Sequence, residues 1–163
     1  MDDIPRIIDA LGGTPLILER FVASIPDAAL HRRRGEGFWT VAEHVAHLAE
    51  VQPMLAERIR RFLEEDAPAF VPHIPSQNES DAAAPRPDMS SATAAFGKER
   101  LAQVALPKRA APGDWAKPAT HPEYTRYTLH ILARHILMHD HWHMYRMEAL
   151  WLTRDHYLTV LAG

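Results

Sequence analysis

Apolar residues recur at helical spacing in four segments of this chain, and that periodicity restricts the fold more than any other feature. In the last segment Leu129, Leu132, Ile136, Met147 and Leu150 fall on one face of a helix. Alternation with a period of two, which marks half-buried strands, is nearly absent. The sequence therefore predicts an all-α protein, a four-helix bundle with long proline-rich connections.

The first predicted helix runs from about residue 3 to 24 and carries an unusual internal segment. Gly12-Gly13-Thr14-Pro15 predicts an interruption, in which Thr14 is an N-cap and Pro15 opens a second, longer helix. The third predicted helix covers about 90–105 and the fourth about 128–152. Residues 66–88 contain five prolines, so they are predicted to form a long loop.

The second predicted helix has the clearest start in the sequence. Thr40-Val-Ala-Glu43 is a capping box, in which each end residue satisfies a backbone amide of the other. Its apolar stripe continues to Phe62. Pro53 lies inside this stretch and cannot donate a hydrogen bond to Ala49, so we predict a kink there.

Composition limits the class of protein. At 163 residues, we expect residues 1–163 to form a single helical-bundle domain. The first residues form no apolar signal segment, and no apolar run approaches the roughly 18 residues that span a bilayer, so we expect a cytoplasmic protein without a membrane partner. The net charge is −3 and basic residues form no stripe, which argues against nucleic-acid binding.

Histidine is the unusual component of this sequence. There are no cysteines, so a metal ion would have to be held by nitrogen and oxygen atoms. Of the 11 histidines, five lie between residues 130 and 143. Because this cluster is neither terminal nor contiguous, it belongs to the protein rather than to a purification tag.

A helical wheel of the last segment places Asp140 and His143 in the core-facing stripe and His139 at its edge. An unpaired buried charge is costly, so we expect compensating partners. One such histidine alone is best explained as a core residue that is hydrogen-bonded to Asp140. His139 and His143 are one turn apart, however, about 6 Å along the axis, so both imidazoles can reach one ion. Asp140 could then accept a hydrogen bond from a ligand histidine, or it could be an additional ligand itself.

A third ligand is available in the second helix, where two candidates are three residues apart. His44 lies nearer the middle of the apolar stripe, and His47 lies off its flank. Both are neighbours on the helix surface, and periodicity does not select between them.

The segments Trp39-Thr-Val-Ala-Glu-His-Val-Ala-His-Leu48 and His139-Asp-His-Trp-His143 together resemble the DinB-like/YfiT-like family. Its signature pairs a Trp-Ser/Thr-x-x-Glu-x-x-x-His-Leu segment with a later His-Asp-x-x-His. His121-Pro-Glu-Tyr124 is similar to the family's approach to that later helix. The resemblance covers nearly the whole chain, in order. Two positions depart from the family pattern: Arg146 stands where Gln is frequent, and Arg126 where Gly is frequent.

This resemblance implies a metal ion held by His47, His139 and His143. His44, His135 and His141 are then expected behind the ligands, in the core or on the surface. Three neutral imidazoles leave the ion its full charge and an open position, the pattern of a catalytic site. Bound water or thiol would be acidified there. Zinc or nickel is the expected ion, followed by manganese or iron.

The resemblance also implies two activities, transfer of a low-molecular-weight bacterial thiol and hydrolase or isomerase chemistry. We expect a metal-dependent enzyme that either transfers such a thiol to a small electrophile or hydrolyses that electrophile. We also expect the enzyme to form a homodimer. Tyr124, Tyr127 and Tyr145 could orient the substrate. A zinc protease is the weaker enzyme alternative, since Asp140 replaces the Glu of H-E-x-x-H and is one methylene shorter. The alternative to an enzyme is a non-catalytic metal-binding module for stress response or protein interaction.

Overall fold

The computed structural model describes residues 2–72 and 88–161, and it confirms the predicted all-α bundle. The loop predicted at 66–88 lies mostly outside the described residues. None of the helices in residues 2–72 and 88–161 contains a stretch that is long and apolar enough to cross a membrane. The helices are α1 (Ile4–Ser24), α2 (Asp27–Leu30), α3 (Val41–Glu50), α4 (Gln52–Glu64), α5 (Met89–Ala105) and α6 (Leu129–Leu152).

Helix α1 is continuous, so the interruption predicted at residues 12–15 is wrong. Pro15 lies inside the helix and cannot donate to the carbonyl oxygen of Leu11, four residues earlier. The hydroxyl of Thr14 donates to that same oxygen at 2.8 Å. Thr14 therefore satisfies the acceptor that Pro15 leaves open, instead of capping a new helix.

The capping box at the start of α3 is confirmed. Thr40 Oγ1 accepts a hydrogen bond from the Glu43 amide at 3.1 Å, and Glu43 Oε2 accepts one from the Thr40 amide at 2.6 Å. The kink predicted at Pro53 is present as a break between α3 and α4 at Val51. The Val51 amide donates to the His47 carbonyl at 3.1 Å and also faces the Ala49 carbonyl, to which Pro53 cannot donate.

A small sheet, which the sequence did not predict, lies before α6. Strand β1 (Pro118–Ala119) pairs antiparallel with strand β2 (Tyr127–Thr128). Strands of two residues are too short to produce visible alternation in a sequence. Thr128 also caps α6, since its hydroxyl accepts from the Ile131 amide at 3.2 Å. The sheet therefore fixes the connection 120–126 beside the first turns of α6.

Two apolar clusters form the core, and α6 contributes to both. One cluster joins α1, α4 and the first half of α6 and includes Leu11, Phe62 and Ile136. The other joins α1, α3, α5 and the end of α6 and includes Leu48 and Met147. His139 and His143 therefore lie between the two clusters along α6.

Candidate metal centre

Three histidines from two helices converge on one point. His47 comes from α3, and His139 and His143 come from α6. Nε2 of His47 is 3.3 Å from Nε2 of His139, and the latter is 3.1 Å from Nε2 of His143. The ligand atoms of all three lie within 4.8 Å of one another. The structure thus brings together the three residues that the sequence suggested.

These separations fit a single divalent ion. Tetrahedral nitrogen ligands at about 2.0–2.1 Å from zinc lie about 3.3–3.4 Å from one another. Both measured Nε2 separations are within a few tenths of an ångström of that value. A small movement of the side chains would therefore complete the coordination, with no rearrangement of the helices.

Helix packing holds the three imidazoles in place. His47 and His143 are buried, and His139 is half-buried. On α3, the neighbours Val45 and Leu48 are fully buried and fix the rotation of the helix about its axis. Since α3 packs directly against α6, the position of each ligand follows from the core rather than from a loop.

His44 lies immediately behind His143. Its Nδ1 is 2.7 Å from Nδ1 of His143, while Nε2 of His143 faces His139. An imidazole that binds an ion through Nε2 keeps its proton on Nδ1. In the metal-bound state the Nδ1–H of His143 would therefore donate to His44, which favours His44 as an acceptor behind the ligand set and His47 as the ligand.

Burial keeps this pair of histidines neutral. It lowers the pKa of His44 to about 3, and the charge of Arg146 adds to the effect. Burial also lowers the pKa of His143, followed by the nearby imidazoles of His139 and His44. Neutral imidazole is the form that a metal ion requires.

Asp140 is directed away from the histidines, towards α5. Both of its carboxylate oxygens accept hydrogen bonds from Arg100, with Nη2 to Oδ1 at 3.0 Å. Arg100 also donates to Gln52 Oε1 at 3.2 Å and to Thr14 Oγ1 at 3.4 Å. Asp140 thus belongs to a buried network that joins four helices, and the geometry gives no support to its expected role behind or among the ligands.

Two tryptophans border the histidine cluster. The ring of Trp39 stacks on His143 at 6.0 Å between centroids and lies 5.2 Å from His47. Trp142 meets His143 edge-on at 4.9 Å. These rings limit the rotation of His143 and reduce the access of water to it.

The histidines open into a cavity of about 530 Å³ between α3, α4, α6 and the connection before α6. His135, one turn before His139, lines it, whereas His141 is exposed elsewhere on α6. Of the three tyrosines suggested for substrate contact, Tyr124 lines the cavity, Tyr127 is buried in the core and Tyr145 is exposed outside it. The lining consists of Trp39, His47, Val51, Met54, Leu55, Arg58, His121, Glu123, Tyr124, His135, Ile136, Met138, His139, Trp142 and His143.

Comparison with known proteins agrees with this arrangement. The profile of the DinB superfamily matches residues 11–147. The chain belongs to the DinB superfamily. Its fold is also similar to that of YfiT from Bacillus subtilis, reported as "a probable metal-dependent hydrolase with an unusual four-helix bundle topology". The two share 24% sequence identity at a TM-score of 0.73, over 90% of this chain and 84% of YfiT. No curated protein matches this member of the DinB superfamily.

Sequence reasoning missed two charged residues in this DinB superfamily protein. Arg100 lies four residues after Phe96 and four before Val104, and both neighbours are buried. That spacing was a usable signal, because a cation on a buried face needs an anionic partner such as Asp140. Arg58 lines the cavity from the edge of the apolar stripe of α4, where no local pattern distinguishes it from a solvent-exposed arginine.

Proposed function

We propose that Nε2 atoms of His47, His139 and His143 hold one divalent metal ion and that the protein is a metal-dependent enzyme. The observation that carries the proposal is the convergence of three ligand nitrogens, from two helices, within a cavity that can admit a small molecule. Zinc and nickel are the preferred ions, followed by manganese and iron, since all of them accept imidazole. When bound, such an ion retains its full charge and lowers the pKa of a bound water or thiol.

The residues around the ligands have distinct roles in this proposal. His44 accepts the Nδ1 proton of His143 and thereby fixes the tautomer and orientation of that ligand. Trp39 and Trp142 hold His143 from two sides and exclude water. The apolar walls bind the non-polar part of the substrate.

Of the two cavity imidazoles outside the ligand set, His135 is the one placed to accept a proton, because Nδ1 of His121 already accepts a hydrogen bond from the Glu123 amide. Partial loss of hydration lowers its pKa, and the charge of Arg58 contributes. His135 is therefore neutral near pH 7. The hydroxyl of Tyr124 lies 3.4 Å from its Nδ1 and can hold the ring in position.

The ion would supply an activated water or thiol for attack on a small electrophile that carries a leaving group, and His135 would accept the proton that this nucleophile loses. With a low-molecular-weight thiol as nucleophile the protein is a transferase, and with water it is a hydrolase, the class named for YfiT in the words "probable metal-dependent hydrolase". A protease is disfavoured because both oxygens of Asp140 are engaged by Arg100, so this carboxylate is not placed to act as the general base. The homodimer and the cytoplasmic location stay predictions.

The test compares the two nucleophiles on the same metal-loaded protein. Hydrolysis of p-nitrophenyl acetate and conjugation of cysteine to 1-chloro-2,4-dinitrobenzene report the two activities separately. We expect one activity to require added zinc or nickel, to disappear in His143→Ala and to persist in the matched control His141→Ala. Full metal occupancy without turnover in either assay would contradict the proposal that the protein is an enzyme. It would favour a non-catalytic metal-binding module.

A further inference from the structure

The end of the cavity that α4 forms has a positive charge. Arg58 of α4 lines this end, and His121 and His135 line the same cavity. It is half-buried, and it is the sole lysine or arginine among the described residues that line the cavity. The proposed ligands and this cation therefore face the same cavity.

Two contacts hold the guanidinium of Arg58 in this position. Its Nη2 donates to the Val71 carbonyl at 2.7 Å, and its central carbon lies 5.7 Å from the centre of the Phe70 ring. Ion pairs between described residues do not include Arg58. A guanidinium has five N–H groups in a rigid fork, so donors remain for a ligand.

The charge of Arg58 affects the pKa values of two histidines that line the cavity. It contributes, after burial, to lowering the pKa of both His121 and His135. Nδ1 of His121 accepts from the Glu123 amide at 3.2 Å, so its remaining proton is carried on Nε2. Glu123 is the one carboxylate among the described lining residues, and it is exposed to solvent at the rim. The buried part of this end thus offers a cation and a neutral donor.

We propose that Arg58 and His121 bind a carboxylate of the substrate, while the substrate's reactive group lies at the three histidines. The inference rests on the proposed function, because it assigns the chemical class of the molecule that this same cavity takes. The fork of an arginine matches a carboxylate with two parallel hydrogen bonds. Val51, Leu55 and Ile136 line the same cavity and suit an apolar body joining the two ends. The substrate class is therefore a small amphipathic carboxylic acid.

Calorimetric titration with benzoate and with benzamide, its uncharged analogue of nearly the same shape, tests this inference. We expect zinc-loaded protein to bind benzoate at least about tenfold more tightly than benzamide, as hydrogen bonds to a charged group suggest. Arg58→Gln should lose that preference, mainly because benzoate binds more weakly. Arg134→Gln is the matched control, since Arg134 is exposed on α6 and does not line the cavity. Phosphate as a third probe reports whether the site also accepts a tetrahedral anion.

The same titrations on metal-free protein separate this inference from the metal centre. A benzoate preference that persists without metal and depends on Arg58 supports the inference, even if metal binding itself failed. Benzoate binding that needs metal and is unaffected by Arg58→Gln overturns the inference and leaves the metal centre intact. Equal or undetectable binding of benzoate and benzamide to the zinc-loaded protein also overturns it.

Discussion

Replacing Arg100 with methionine should destabilise the fold by about 3–5 kcal/mol, the usual effect of leaving one charge of a buried pair without its partner. Arg100 and Asp140 are both completely buried, and two hydrogen bonds join them. Methionine fills much of the same volume with apolar atoms. The loss therefore arises mainly from the isolated carboxylate of Asp140.

Protonation of Asp140 sets an upper limit to the part of that loss that comes from its isolated charge. Its ordinary pKa is 3.8, and neutralising it at pH 7 costs about 1.36 kcal/mol per pH unit, or roughly 4.4 kcal/mol. Without Arg100, burial raises the pKa of Asp140 in the folded state above the value of the unfolded state. The folded variant then binds more protons, so its deficit in stability should shrink as the pH falls from 7 to 5.

Urea unfolding of wild type and Arg100→Met at pH 7 and pH 5 measures this effect. In thermal unfolding at pH 7, the melting temperature should fall by about 6–20 °C for a chain of this length. The double variant Arg100→Met/Asp140→Leu should recover most of the stability, because no charge remains buried. Arg134→Met, a change at an exposed position, should alter the unfolding free energy by less than about 0.5 kcal/mol. A small, pH-independent loss of unfolding free energy in Arg100→Met would refute the reasoning. An Asp140→Asn variant that stays stable but no longer binds zinc would refute it as well.

The remaining predictions concern the histidines. His44→Phe should weaken zinc affinity about 10–100-fold because His143 loses its acceptor, as competition with a chromophoric chelator would reveal; an unchanged affinity would remove His44 from the site. His47→Ala, His139→Ala and His143→Ala should each lose most of their zinc by elemental analysis, whereas exposed His141→Ala should retain it. Zinc at 100 times its Kd should raise the unfolding free energy by about 2.7 kcal/mol, so a melting curve unaffected by verified chelation would contradict binding to the folded state. Acid should destabilise the protein, because burial lowers the pKa of His44 from 6.5 to about 3. The stability that neutral His44 contributes is complete above pH 6.5 and declines as the pH falls towards 3. An unfolding free energy that is constant between pH 7 and 4.5 would contradict this prediction.

The parts of the site that depend on one helix could be predicted from the sequence. His139 and His143 are one turn apart, so any helix places them together. The cap at Thr40 is equally local, since it needs only residues 40–43. These features follow from the chain's own geometry and do not depend on how the helices pack.

Features that depend on packing could not be read from the sequence. The choice between His44 and His47 is set by the rotation of α3 relative to α6, and periodicity placed both on adjoining faces. In the structure His47 Nε2 meets the other ligands while His44 contacts the far side of His143. The pairing of Asp140 with Arg100 depends on packing as well, because Arg100 lies on a different helix, 40 residues away in the chain. The buried position of Arg100 indicated that it needs an anionic partner, but not which carboxylate that is.

The continuity of α1 shows a different limit. Gly12-Gly13-Thr14-Pro15 contains strong signals for a helix boundary, and those signals act through unsatisfied backbone groups. Here the hydroxyl of Thr14 supplies the missing donor to Leu11. This side-chain hydrogen bond allows the helix to continue through residues 12–15, although the Gly and Pro pattern there predicts a helix boundary.

X-ray absorption spectroscopy of the zinc-loaded protein, combined with the zinc content per chain, tests the central claim most directly. We predict one zinc ion per chain, with about three imidazole nitrogens at about 2.0–2.1 Å and the characteristic outer scattering of the rings. His47→Ala should reduce both the occupancy and the imidazole signal. Zinc bound at full occupancy through oxygen atoms alone, or an absorption spectrum that His47→Ala leaves unchanged, would contradict a centre built from His47, His139 and His143.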